Sequence, residues 1–227
     1  MSGFIFSGPY GPNFELFYKN YLVILNLNLL TKNNMKLSKD YQKEKLTINL
    51  VWANIFSLLI LVPIVLIFGF PYHLLWIDDI DLYAKLWFDS ISSFGFLKLT
   101  LFIILGIIIH ELIHGVIWSI YADSGFKSIK FGVLWKMLTP YCHCKEPLRV
   151  KHYVMGAIAP AIILGFIPSV IAIIIGNFGV LIFGLFFTVV AAGDFLIINL
   201  LRKENKDDFV EDHASEAGCY IYRKIKK

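Results

Sequence analysis

The stretch GIIIHELIHGVIW, residues 106–118, places two histidines and a glutamate inside a run of aliphatic side chains. Such a run suits lipid, where an ionisable residue costs about 2.5–3.5 kcal/mol or more and marks a functional site by default. The structural alternative is that His110 and His114 are neutral and Glu111 is protonated, with all three hydrogen-bonded to neighbouring helices.

These three residues form the pattern H-E-x-x-H. Residues four apart lie on one face of a helix, so both imidazoles can point at one position. In metalloproteases with this pattern the histidines bind zinc and the glutamate acts as general base on water. The spacing therefore predicts one zinc ion at His110 and His114, with Glu111 as the catalytic base. Iron or cobalt would suit the same donors.

A catalytic zinc site usually has three protein ligands and one position left for water. Ile120 stands six residues after His114, where longer versions of the pattern have a third histidine. Glu146 and His143 follow in the next connection, but that connection is polar and does not lie at membrane depth. The third ligand we predict is Asp194, the acid within the last apolar stretch.

The position of Asp194 along its helix supports this choice. The second and fourth apolar stretches run in the same direction, and His114 and Asp194 each lie about seven residues, roughly 10 Å, before the helix end. Gly193 would let the helices approach closely. Zn²⁺ with ionised Asp194 and Glu111 carries no net charge, which makes their joint burial less costly. The alternative is a polar helix contact, to Asn199 or within a proton relay.

The whole chain has the composition of a membrane protein. Its 227 residues are 57% hydrophobic and 17% charged, against about 45–50% and about 25% in soluble domains, and its mean hydropathy is +0.67. Crossing the hydrocarbon layer takes about 20 residues, a length reached at 50–70, 96–121, 154–176 and 178–201. A shorter run at 21–30 predicts a strand or an interfacial segment. We expect an all-α integral membrane protein with about four transmembrane helices.

The basic residues predict the orientation. Lys and Arg are frequent before the first stretch, between the second and third, and after the fourth, whereas the connection 71–95 carries one lysine and four aspartates. By the positive-inside rule both termini then lie in the cytoplasm. This divides the chain into an N-terminal cytoplasmic segment at 1–45, a membrane domain at 46–202 and a solvated C-terminal cytoplasmic tail at 203–227.

The connection at 122–153 has a pattern of its own. Apolar side chains recur at every second position from Ile129 to Trp135, which predicts a short strand. A second extended piece is expected around 148–154, and the two extended pieces predict a hairpin at the cytoplasmic face. The alternative is an irregular amphipathic loop.

Charge and cysteine content exclude two classes of protein. A net charge of +4 is too modest to indicate nucleic-acid binding, and no nucleic-acid partner is expected. Cys142, Cys144 and Cys219 do not form the even framework of a secreted disulfide protein. A second metal at Cys142, His143 and Cys144 would lack a fourth ligand, so we interpret them as structural loop residues.

Several segments together resemble a known family. HELIHG in one apolar helix, IKFGV and TPYCHCKEPL in the next connection, GAIAP at the start of the following helix and GD in the last one are similar to the zincin-like peptidases of bacterial and archaeal membranes. That family is known mainly as a domain of unknown function. The resemblance covers roughly residues 44–222 and implies a prokaryotic cell membrane as the location.

More distantly the arrangement is similar to the site-2 proteases, intramembrane metalloproteases with H-E-x-x-H on one helix and an aspartate on a later one. This likeness implies His110, His114 and Asp194 as zinc ligands and Glu111 as base. Phe195 departs from that family, which has glycine after the aspartate.

The expected activity is that of a zinc-dependent intramembrane endopeptidase acting on a membrane protein or peptide in the lipid bilayer. One alternative is a non-proteolytic metal-binding membrane protein, which would be another metal-dependent hydrolase or would serve transport or sensing. The other is a membrane protein whose polar helix faces only bind other helices. Metal content separates this last alternative from the first two, and Glu111→Gln separates an enzyme from a metal carrier.

Overall fold

The computed structural model describes residues 41–76, 93–134, 139–213 and 216–225. The predicted segment at 21–30 and the acidic part of the connection at 77–92 lie outside the described residues. The chain divides into a unit at Lys43–Arg223 and a second unit made of Met1–Gln42 and Lys224–Lys227. Only four residues of the second unit are described, and the contacts below are those of the first.

Helices account for most of the described chain, as predicted. In chain order the elements are β1 (Tyr41–Thr47), α1 (Leu50–Ile64), α2 (Phe70–Trp76), α3 (Ser93–Tyr121), β2 (Ile129–Leu134), β3 (Thr139–Cys144), β4 (Leu148–Arg149), α4 (Val150–Pro160), α5 (Ile167–Ile175), α6 (Phe178–Val190), α7 (Ala192–Leu201), β5 (Phe209–Asp212) and β6 (Gly218–Lys224). Wider π-helical turns, Val65–Gly69 and Ala161–Phe166, connect α1 to α2 and α4 to α5.

By length and composition, three helical stretches of the described chain can cross a membrane: Val51–Trp76, Leu99–Tyr121 and Val150–Ile175. A fourth crossing results if α6 and α7, which are bent by 43° at a short break, form one span. These stretches overlap the four that the hydrophobic pattern predicts.

The hairpin of α5 and α6, with the π-helical turn before it, shows how closely its helices approach. A Cβ on Gly165 would lie 2.3 Å from Oγ1 of Thr188. A Cβ on Gly184 would lie 2.3 Å from Oγ of Ser169. Both hydroxyls donate hydrogen bonds to carbonyls of their own helices, at 2.8 and 2.9 Å, so neither is buried unpaired. Small residues thus allow tight contact without leaving a polar atom facing lipid.

Two antiparallel sheets lie at the polar end of the helices. The predicted strand is confirmed as β2, although Trp135 lies outside the described residues. It pairs with β3, in a register from Ile129↔Cys144 to Leu134↔Thr139, and not with the segment predicted around 148–154. There only β4 is extended, because Val150, Tyr153 and Ala157 bury one face at helical spacing and begin α4.

The C-terminal segment differs from the solvated tail that we expected. β5 and β6 pair in a four-stranded sheet of order β1-β6-β5-β4. Val210, Cys219 and Ile221 are fully buried and share a core with Trp118 and Tyr153. Alternation in GCYIYRK turns apolar residues to one face, a signal that the neighbouring charges obscured. The class all-α therefore describes the apolar part, while the polar end contains sheets.

Candidate metal centre

Helices α3 and α7 bring the three predicted ligands together. Nε2 of His110 lies 3.2 Å from Oδ2 of Asp194, and Nε2 of His114 lies 3.4 Å from Oδ1. The two Nε2 atoms are 3.2 Å apart. Within the described part of the chain, this is the one group of three or more His, Cys, Asp or Glu side chains spaced to hold a metal ion.

The donor set has the dimensions of a zinc site. Tetrahedral zinc with bonds of about 2.0–2.1 Å separates its ligand atoms by roughly 3.3 Å, and the separations here are 3.2 to 3.4 Å. The two contacts to Asp194 end on different oxygens of its carboxylate. Four electron-rich atoms this close, two nitrogens and two oxygens, repel one another unless a cation, either a proton or a metal ion, lies between them. The geometry therefore fits a zinc ion.

A backbone carbonyl fixes the orientation of His114. Its Nδ1 lies 2.9 Å from the carbonyl oxygen of Gly156, to which an Nδ1–H can donate. That carbonyl is available because Pro160, four residues later, has no N–H to continue the helical hydrogen bonding. With the proton on Nδ1, the lone pair of Nε2 faces the site, the arrangement usual for a metal-bound histidine.

His110 is buried as deeply as His114 but is oriented differently. Its Nδ1 is buried without a hydrogen-bond partner among the described residues. Leaving a buried polar atom unpaired costs about 1–3 kcal/mol. Since a metal-binding histidine usually donates its other ring N–H to a partner, His110 is the less firmly oriented of the two candidate ligands.

Glu111 faces the β2–β3 hairpin. The backbone amide of Cys142 in β3 hydrogen-bonds to its carboxylate. One turn further along α3, a Cβ on Gly115 would lie 2.7 Å from the ring of Phe131 in β2. The absence of a side chain at Gly115 therefore lets the hairpin lie against the helix face that carries Glu111.

The site opens on the side of α7. The Asp194 side chain is 23% exposed, against 5% for each histidine. Gly193 is exposed, and a Cβ there would meet nothing within 4 Å. Asp194 lies in the first turn of α7, where the helix dipole favours an ionised carboxylate. The candidate site is therefore not covered by protein next to the predicted acidic ligand.

The other sequence candidates lie apart from these donors. Glu146 accepts a hydrogen bond from the backbone N–H of Ser124, and His143 faces Asp212 at 3.8 Å. Burial raises the pKa of the Cys144 thiol to about 12, and this thiol lies 3.4 Å from the backbone carbonyl oxygen of Glu146, to which it donates. Cys142 and Cys144 join no metal-spaced group within the described residues.

Sequence reasoning missed the residues that contact His114 on the side away from the candidate metal site. Gly156 supplies the carbonyl, and a Cβ there would lie 2.1 Å from Nε1 of Trp118. Trp118 follows His114 by four residues and therefore shares its helix face. A second usable signal was Pro160, four residues after Gly156, because a proline there leaves the Gly156 carbonyl without its helical hydrogen bond. Asp212, in the C-terminal segment, gave no signal in the sequence.

Comparison with protein families gives one match. Residues 103–209, a little under half of the chain, match the model of a family described as "Putative zincin peptidase". The matched segment contains all four predicted site residues. Searches of curated proteins and of solved structures found no match. The resemblance to a zincin peptidase family inferred from the sequence is thus confirmed over residues 103–209.

Proposed function

We propose that the protein is a zinc-dependent intramembrane endopeptidase that hydrolyses peptide bonds of membrane-associated substrates. The observation that carries this proposal is the convergence of His110, His114 and Asp194 from two apolar helices. The family match supports a metallopeptidase. One zinc ion held by these residues would supply Lewis-acid polarisation and an acidified water.

The chain's own residues then have distinct tasks. Glu111 takes the proton from the attacking water and passes it to the leaving amine. The amide of Cys142 orients its carboxylate, and α3 keeps it one residue from His110. Asp194, on the open side of the site, neutralises charge and leaves room for substrate. Each proposed role is supported by where the side chain lies and which atoms it contacts.

A helical substrate must unwind before its carbonyl can react, because helical carbonyls are already hydrogen-bonded. The β2–β3 hairpin lies next to Glu111. Its sheet has two strands within the described chain, so a strand edge remains for an extended substrate segment to pair with. We propose that β2 supports the unwound segment in this way.

The proposed setting is a prokaryotic cell membrane with both termini in the cytoplasm, and the proposed partners are the lipid bilayer and a membrane protein or peptide substrate. Basic residues of the polar connections support this orientation. No role in binding nucleic acid is proposed.

The test compares purified wild-type protein with Glu111→Gln and Glu146→Gln. Each protein is assayed for zinc and for cleavage of doubly labelled transmembrane peptides that contain a helix-breaking Asn-Pro pair. The wild type should hold one zinc ion and cleave, Glu111→Gln should keep zinc but cleave about 10³-fold more slowly, and Glu146→Gln should match the wild type. Equal cleavage by Glu111→Gln would refute the proposed role. Zinc binding with every peptide left intact would favour the non-proteolytic alternative.

A further inference from the structure

A stack of rings extends from His114 away from the metal donors. The His114 ring stacks on Trp118 with centroids 5.1 Å apart, and Trp118 stacks on Tyr153 at 5.0 Å, both with ring planes within 16°. Nε1 of Trp118 donates to the backbone carbonyl of Tyr153 at 3.0 Å. All three side chains are buried. In such close packing, one ring cannot shift without displacing the next.

The stack ends at Asp212 in β5. The Tyr153 hydroxyl donates a hydrogen bond to Oδ1, and the backbone N–H of Cys144 donates to Oδ2 at 2.8 Å. Nδ1 of His143 lies 3.8 Å from Oδ2. Burial raises the pKa of the Asp212 carboxyl, and these donors favour its ionised form. One carboxylate thus connects β3, α4 and β5.

Asp212 is itself held firmly. It pairs with the fully buried Cys219 across the β5–β6 hairpin. The neighbouring Val210 is also fully buried and lies in the same core as Trp118 and Tyr153. Asp212 lies beyond residues 103–209, the segment that the family match covers. The support for His114 therefore extends into a part of the chain that the family match does not include.

We propose that Asp212 is a positioning residue for the candidate zinc ligand His114, acting through Tyr153 and Trp118. The C-terminal β5–β6 hairpin then contributes to metal affinity although it contains no ligand. This inference rests on the proposed zinc site. Removing a supporting contact behind a metal ligand typically weakens metal binding 10–100-fold.

The test measures zinc affinity of the full-length protein by competition with a chelator, together with the visible spectrum of the cobalt-substituted protein. The variants are Asp212→Asn, Tyr153→Phe and the double substitution. Tyr153→Phe keeps the stacked ring and removes only the hydroxyl, so it should remain folded where Asp212→Asn does not. Asp207→Asn is the control, because Asp207 is an exposed acid of the same region whose carboxylate pairs with Lys151 and Arg149.

Asp212→Asn and Tyr153→Phe should each bind zinc about tenfold more weakly than the wild type and shift the cobalt bands. The control Asp207→Asn should bind zinc within about twofold of the wild type. The double variant should be no weaker than the worse single one, because both substitutions break the same contact. Wild-type affinity in Tyr153→Phe and Asp212→Asn, or losses that multiply in the double variant, would overturn the inference. A wild type that binds zinc no better than His114→Ala would instead overturn the proposed function.

Discussion

The first predicted span and the span that carries α4 differ in packing although they are equally apolar. Val51–Trp76 has a mean hydropathy of 2.6 and Val150–Ile175 has 2.7. Yet α4 buries six of its residues, including Tyr153 and Gly156. In the first span the buried hydrophobic side chains are Ile64 and Tyr72 among the residues described. Hydropathy therefore selects helices for the membrane but does not determine how they pack.

Small residues explain the difference. In α4, glycine and alanine at three of the six buried positions let neighbouring helices approach their backbone. The first span instead presents Leu, Ile and Val outward, and lipid solvates such side chains as well as another helix would. The candidate metal centre lies against the tightly packed region, where a displacement at one residue reaches its neighbours.

The largest contrast should come from replacing one histidine that packs against α4 and one histidine in the first span. His114→Ala removes a candidate ligand from the packed region, whereas His73→Ala alters an exposed histidine on α2. Elemental analysis should find bound zinc reduced from about one ion per chain to almost none in the first variant, since two donors remain where three are usual. The second variant should keep its zinc. Zinc retained by His114→Ala would contradict the proposed ligand set.

Two phenylalanines test the packing itself. Phe187 is 1% exposed and fills the space that a Cβ on Gly106 would occupy, whereas Phe70 in the first span is 57% exposed. Phe187→Ala should lower the free energy of unfolding by about 3 kcal/mol because it leaves a cavity. Phe70→Ala should lower it by less than about 0.5 kcal/mol. Denaturant titration in mixed micelles measures both, and equal losses would show that the contact of α6 with α3 is packed no more tightly than the first span.

The candidate metal ligands were more accessible to sequence reasoning than the contacts that support them. H-E-x-x-H and Asp194 could be identified because each is an ionisable group in an apolar run, and matching depths then paired them. The strand at β2 was recognisable from its alternation. These features depend on local chemistry and spacing, which a single sequence displays directly.

Features that depend on long-range contacts could not be predicted in this way. The partner of β2 is β3, whose Cys-His-Cys run we interpreted as loop residues or a metal site and not as a strand. Asp212 contacts Tyr153, 59 residues away, through a segment whose charges indicated solvent exposure. Nothing in the local pattern of either segment specifies such a partner. The support of His114 was therefore visible only in the folded chain.

Two glycines near the site should respond oppositely to the same substitution. A Cβ on Gly156 would lie 2.1 Å from Nε1 of Trp118, whereas one on Gly193 would meet nothing within 4 Å. Gly156→Ala should cost about 1–3 kcal/mol of unfolding free energy through overpacking. Gly193→Ala should be neutral or stabilising by up to about 1 kcal/mol, because alanine favours helix. A tolerated Gly156→Ala would mean that α4 can move away from α3 at little cost.

The smallest effect concerns the sheet at the polar end. Arg223 donates to both carboxylate oxygens of Glu204, at 2.6 and 2.7 Å, and this pairing lowers the pKa of Glu204. A lowered pKa in the folded state means that the stabilisation is present above the ordinary value of 4.5 and is lost as the pH falls through the folded value. Since Arg223 is 36% exposed, Glu204→Gln should cost only about 1 kcal/mol at pH 7.

Thermal melts at several pH values measure this effect, with Glu216→Gln as the control. Glu216 pairs with Lys45 where both side chains are about half exposed, so its loss should be close to zero at every pH. The difference between wild type and Glu204→Gln should shrink as the pH falls below 4.5, because Glu204 is protonated first in the unfolded chain and in the folded protein only at its lowered pKa. A difference that stays constant down to pH 3 would show that Glu204 acts through packing and not through its charge. In that case side-chain packing would stabilise the sheet at the polar end, as it does the helices that carry the candidate ligands.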